Sequence, residues 1–221
     1  MFLIVVVLGL IGYLLYKKYK KAKSPGKIPS QDFDVPDTDE FRVAVHEAGH
    51  AVAAWFCTAV ARVNEVTIES PTGGHVKYEY HHSRFKENDW CNLVICLAGM
   101  AGEAVIYKRV RSGPASKDLA EARQMVAHII NAGWQDPPWE VEESSMPFHK
   151  MFKDPLSETE NRILQQAFQY SKELIWSKIK VHHQFVVLLL KDRTLNRDEL
   201  IDHFGDREFS FLGNCFRACF M

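Results

Sequence analysis

Val43-Ala-Val-His-Glu-Ala-Gly-His-Ala-Val-Ala-Ala-Trp55 decides how this chain is to be read. Phe41, Val45, Ala48, Val52 and Trp55 recur at helical spacing, and Thr38 or Asp39 is placed to cap a helix that runs from Glu40 to Phe56. Inside that helix stand His46, Glu47 and His50. Two side chains four residues apart differ by roughly 40° around a helix, so both imidazoles leave one face and can reach one tetrahedral zinc ion. Glu47 sits between them, where a carboxylate can take a proton from a metal-activated water. The pentapeptide alone also fits a solvated helix face with two histidines. Its flanks argue otherwise: they are apolar on both sides, and ionisable groups on a buried helix need partners, which a metal supplies.

A catalytic zinc needs a third protein ligand and an open position for water. The extended H-E-x-x-H-x-x-G-x-x-H motif would need Gly and His at positions 53 and 56, which are Ala53 and Phe56. A thermolysin-type arrangement wants Glu and then Asp four residues later on a downstream helix, but Tyr107 follows Glu103 at that offset. A long apolar span burying the motif, as in an intramembrane protease, does not exist. Two acidic candidates remain on helical segments, Asp118 and Glu103.

Around this helix the chain alternates between a few clear patterns. Val63–Glu69 and His75–Tyr80 alternate apolar and polar residues about the turn Ser70-Pro-Thr-Gly-Gly74, which predicts a small hairpin. Helices are predicted over Asn88–Tyr107, with Gly99 and Gly102 on one side for a close helix contact, and over Lys117–Ala132. Arg109–Ala115 and Trp134–Pro155 read as loops. Ser157–Lys178 and Ile179–Lys191 are amphipathic, the first opened by a Ser157/Glu160 capping box, and a last short helix is expected from Thr194 to Phe204.

The start of the chain is different. Met1–Tyr16 carries no charge and is followed by Lys17, Lys18, Lys20, Lys21 and Lys23. Charges after the apolar run, with none before it, predict an uncleaved membrane anchor over residues 1–17. By the positive-inside rule the rest then faces the cytoplasm or a matrix- or stroma-like compartment. Residues 18–39 form a basic, Pro-containing linker, residues 40–205 the folded domain, and residues 206–221 a tail of unassigned role.

Composition closes off other classes. Hydrophobic residues are 47% and charged residues 25% of 221, which excludes a disordered or polytopic membrane protein. A net charge of −1 offers nothing to steer nucleic acid. The five cysteines form no C-x-x-C pair, so reduced thiols are expected.

Two stretches resemble one family. VAVHEAGHAVAAW is similar to the catalytic helix of the FtsH family of membrane-anchored zinc proteases (peptidase family M41). Leu97–Val126, LAGMAGEAVIYKRVRSGPASKDLAEARQMV, resembles that family's Leu-Ala-Gly…Ala-x-Glu helix and the Thr/Ser-Gly-Ala-x-x-Asp-Leu turn after it. The late helices also read like the family's closing helices, so the resemblance covers roughly Asp39–Phe204. It implies a mainly α zinc-metallopeptidase domain with a small β-hairpin. It also implies Zn²⁺ held by His46, His50 and Asp118, with Glu47 as the catalytic base. Glu103 is then left beside the metal, or paired with Arg123 or Arg109. The Gly74–Tyr78 strand resembles the edge strand on which the family receives substrate.

The chain departs from the family in two ways. Pro114 stands where the family has Ala, and no G-x-x-x-x-G-K-[ST] loop occurs in the 221 residues. The expected activity is therefore membrane-anchored peptide-bond hydrolysis of unfolded or flexible protein segments without an ATPase motor on the chain. Membrane lipid and protein substrates are the expected partners, with a homo-oligomer or an ATPase-bearing protein as further company. The rival expectation is a non-hydrolytic scaffold or regulatory partner of such a protease. His75, His128, His182 and the remaining histidines outside the motif are read as surface or satisfied groups.

Overall fold

The Thr38 side chain accepts a hydrogen bond from Phe41 N at 3.2 Å and so starts the first helix, α1, Asp39–Phe56. The computed structural model describes residues 36, 38–57, 60–70, 73–80, 86–110, 115–138, 144 and 146–205. The anchor, most of the linker and the tail lie outside the described residues. After α1 come strands β1 (Val60–Ser70) and β2 (Gly73–Tyr80), then helices α2 (Lys86–Tyr107) and α3 (Ala115–Asn131). A 3₁₀ turn at Phe148–Lys150 precedes α4 (Glu158–Ser177) and α5 (Ile179–Asp192). Strand β3 (Thr194–Asn196) and helix α6 (Arg197–Phe204) complete the fold. The architecture is mainly helical with one small antiparallel sheet.

Two parts of the late sequence differ from expectation. The hairpin gains a third strand, giving the order β2-β1-β3, with Val66 opposite both Val76 and Leu195. Three residues are too few to show alternation. Asn196, moreover, ends the strand while its side chain caps α6 through Asp198 N and Glu199 N at 3.0 and 3.1 Å. The predicted helix start at Thr194 therefore moves to Arg197. The capping box at Ser157 forms as read, with Glu160 N to Ser157 Oγ at 3.2 Å and Ser157 N to Glu160 Oε2 at 2.7 Å.

α1 lies at the centre, packed by α2, α5 and β1. Its buried face is built largely of alanine and valine, which lets neighbours come close. α2 is fully apolar along most of its length, with Trp90, Leu93, Ile95, Leu97 and Met100 buried. It is the one described helix long and apolar enough to cross a bilayer, but 78% of that stretch is buried inside the domain. Its hydropathy is that of a core helix.

One histidine read as a surface or satisfied group proves to be a core group satisfied at one nitrogen only. His182 of α5 is fully buried, not a surface residue, and only its Nε2 has a partner, donating to Val45 O at 3.1 Å. Burial, with a smaller contribution from the adjacent His183, pushes its pKa down to about 4 against the hydrogen bond to Val45. The unfolded chain protonates this ring near pH 6.5 while the folded one resists to about pH 4. Between those values the unfolded state binds more protons, so stability falls as pH drops. The loss amounts to about 2 kcal/mol by pH 5. Urea unfolding of wild type and His182→Leu at pH 7.5 and pH 5 is expected to show a loss of stability about 2 kcal/mol larger in the wild type than in the variant. Equal losses would refute a neutral buried imidazole.

Candidate active site

The site begins at the crossing of α1 and α2. A Cβ on Gly49 would collide with the Ala98 carbonyl and stand 3.1 Å from Gly99 Cα, so the two backbones touch there. A Cβ on Gly99 would in turn lie 2.5 Å from the Nε2 atoms of both His46 and His50. Glycine on both helices is thus the steric condition for two imidazoles to lie over the α2 backbone. The close contact expected from Gly99 and Gly102 is present.

Hydrogen bonds fix the two rings. His46 Nδ1 meets Glu103 Oε1 at 2.7 Å, and His50 Nδ1 meets Ile95 O at 2.8 Å. A carboxylate and a carbonyl only accept, so this network assigns the proton of each ring to Nδ1. Both Nε2 lone pairs then point inward, 3.1 Å from one another. Asp118, in the first turn of α3, adds its Oδ2 at 2.8 Å from His46 Nε2 and 3.3 Å from His50 Nε2. The Cys96 thiol donates to the Asp118 carbonyl at 3.1 Å and holds this turn against α2.

Three acceptor atoms facing one another at such distances repel unless a positive charge lies among them. A proton on an imidazole is one answer. Burial opposes a charged His46, but its bonds to Asp118 and Glu103 outweigh burial and push its pKa up to about 10. Burial likewise opposes a charged His50, and Asp118 overrides it upwards. Burial alone would raise Asp118, but the two histidines hold it well below the usual carboxylate range. A divalent cation is the other answer. Ligand atoms about 2.0–2.2 Å from a tetrahedral ion stand roughly 3.3–3.6 Å apart, so the 2.8, 3.1 and 3.3 Å found here need to open by only a few tenths of an ångström. His46, His50 and Asp118 therefore fit a zinc ion by donor type, lone-pair direction and distance.

Glu47 lies beside this cluster under the sheet. A Cβ on Gly74 of β2 would stand 2.5 Å from Glu47 Cδ and 2.7 Å from its Oε1, so the strand passes directly over the carboxylate. Burial raises the pKa of Glu47, and the neighbouring His50 and His46 partly offset it. Among the described residues no third strand covers the outer edge of β2.

The sequence leaves Glu103 beside the metal or paired with Arg123 or Arg109, and the structure places its carboxylate on His46 and Arg123 on other partners. That carboxylate is buried, while Arg123 approaches Glu160 at 3.5 Å and Asp154 at 3.9 Å. The other predicted site residues, His46, Glu47, His50 and Asp118, are brought together. The role of Gly99 as the floor of the site was not foreseen. Its signal was present in the sequence, a glycine inside an apolar helix, but it had been read only as a helix contact.

The chain matches Peptidase family M41 over residues 35–202. An ATP-dependent zinc metalloprotease of Arabidopsis thaliana mitochondria, FTSH 10, is 29% identical over 180 residues, covering 76% of this chain and 22% of the relative. A component of the mitochondrial inner membrane m-AAA protease of Mus musculus is 26% identical over 183 residues, covering 76% and 23%. The ATP-dependent zinc metalloprotease FtsH of Thermus thermophilus is 26% identical over 175 residues, covering 71% and 27%. The matched region is thus about a quarter of each of these relatives. A match of this extent, over the helices and sheet that build the site, makes this chain a member of peptidase family M41.

Proposed function

We propose that this chain is a zinc metalloendopeptidase, with His46, His50 and Asp118 holding the metal and Glu47 acting as catalytic base. The observation that carries the reading is the convergence of three lone pairs, one on Asp118 and two on rings whose protons are committed to Glu103 and Ile95 O. Zinc in such a site activates water as a nucleophile at neutral pH and polarises a peptide carbonyl. Glu47 takes the proton from the attacking water and later delivers it to the leaving nitrogen. Its raised pKa suits a group that must do both. Glu103 and Ile95 O keep each ring in the tautomer that turns Nε2 inward. The free edge of β2, passing over Glu47, is where a substrate strand would add its main-chain hydrogen bonds.

We further propose the organisation read from the sequence: an anchor over residues 1–17, a linker over 18–39, the peptidase domain over 40–205 and a tail over 206–221. The domain then works at a membrane, facing the cytoplasm or a matrix- or stroma-like space, alone, as a homo-oligomer or with an ATPase-bearing partner. The 221 residues hold no phosphate-binding loop, so substrates of this segment are unfolded or flexible protein regions.

Zinc analysis and proteolysis of an unfolded protein such as casein test the site together. Glu47→Gln is expected to retain zinc and fold while turnover falls about 10²–10⁴-fold, since an amide cannot accept the proton. Asp118→Ala and His46→Ala are expected to lose stoichiometric zinc. Full activity in Glu47→Gln would mean that the base lies elsewhere or that a contaminant cleaves, whereas zinc without cleavage by the wild type would favour the scaffold reading.

Gly99→Ala removes no ligand, yet its methyl group must displace both Nε2 atoms. It is expected to lose most metal uptake, measured by zinc content after dialysis. Normal zinc in this variant would mean that the rings do not meet over α2.

Range of substrate is tested with one folded protein and the same sequence opened by a core mutation. Unfolding a stable domain costs about 5–15 kcal/mol, which nothing in these 221 residues supplies. Cleavage of the destabilised form only, without nucleotide, is expected, and equal rates on both would refute the motor-free reading.

A further inference from the structure

The chemistry proposed above makes no use of His182, although this ring stands directly behind the site. It comes from α5 and reaches the crossing of α1 and α2. Its Nε2 donates to Val45 O at 3.1 Å. A Cβ on Gly102 would stand 3.1 Å from that same nitrogen and 3.0 Å from Val45 O, so three helices meet there around one imidazole. Val45 and Gly102 are the chain neighbours of His46 and Glu103, whose side chains share the 2.7 Å hydrogen bond that orients the His46 ring.

Packing does not account for an imidazole here. The ring is sealed from solvent and its Nδ1 has no hydrogen-bond partner, a cost that leucine or methionine of similar volume would avoid. What they lack is an N–H aimed at the Val45 carbonyl.

We propose that His182 is a positioning residue, whose Nε2–H fixes the Val45–His46 peptide against α2 and so sets the direction of His46 between Glu103 and the metal. The proposal rests on the metal-site reading above. A ring kept neutral by burial is suited to this task, because it retains one donor and one fixed tautomer across the physiological range.

The test uses the full chain loaded with cobalt(II), whose visible d–d bands report ligand geometry without turnover. His182→Leu and His182→Met remove the donor, and His182→Gln replaces it with an amide N–H. Leu and Met variants are expected to unfold at or above the wild-type midpoint at pH 7.5. They should nonetheless show shifted d–d bands, release metal to a chelator about tenfold faster and, where cleavage is measured, lose kcat about tenfold at unchanged KM. The Gln variant is expected to restore bands and release rate. Wild-type bands and release in His182→Leu and His182→Met would overturn the proposal. So would a folded His182→Gln that restores nothing, or failure of both apolar variants to fold, which would make the ring a structural requirement. A wild-type chain that takes up no cobalt overturns the metal-site reading and this inference with it. One that binds cobalt but cleaves nothing overturns the peptidase reading alone, since bands and release rate decide the role of His182.

Discussion

Everything at the site depends on how closely α1 and α2 cross. Gly49 against the Ala98 carbonyl brings the backbones into contact, and Gly99 leaves the space into which both imidazoles fold. A side chain at either position would fill it. Close crossing also brings Glu103 and Ile95 O within reach of the two Nδ1 atoms, so the same contact that packs the core assigns both tautomers. Core packing and site geometry are one constraint, imposed by glycines on two helices.

The electrostatics follow from that geometry. Glu47, Glu103 and Asp118 converge on two histidines in a region almost sealed from water. Burial alone would discharge the carboxylates and the rings alike. The protein's own groups resist by holding protons on the imidazoles, and a cation among the three inward lone pairs would replace them, releasing protons as it binds. Asp118 is delivered from α3, a separate element, which makes the site sensitive to how the α3 turn is held by Cys96.

β2 lies between Glu47 and the edge proposed to receive substrate. Gly74 permits the strand to lie on Glu47, and the pairing of Val66 with Val76 and Leu195 anchors that strand through β1 to β3. The third strand thus supports the hairpin from the side opposite its free edge, leaving that edge unpaired among the described residues.

Short-range chemistry was legible in the order of the residues. Helical spacing put His46 and His50 on one face, with Glu47 between them. The apolar flanks implied a buried site, and the Ser157/Glu160 box marked where one helix begins, while the choice between Thr38 and Asp39 as the cap of α1 fell to the structure. These readings depend on residues within a turn or two of each other, so periodicity exposes them. Asp118 was one of two acidic candidates until a family resemblance favoured it, because no local pattern says which distant carboxylate folds back onto a helix. The rest came from packing between distant segments: Glu103 turns to His46 and Arg123 elsewhere, three residues at Thr194–Asn196 pair with β1, and His182 is buried behind the site. Each of these rests on a contact across tens of residues, where one hydrogen bond or one missing Cβ selects the partner and leaves no period in the chain.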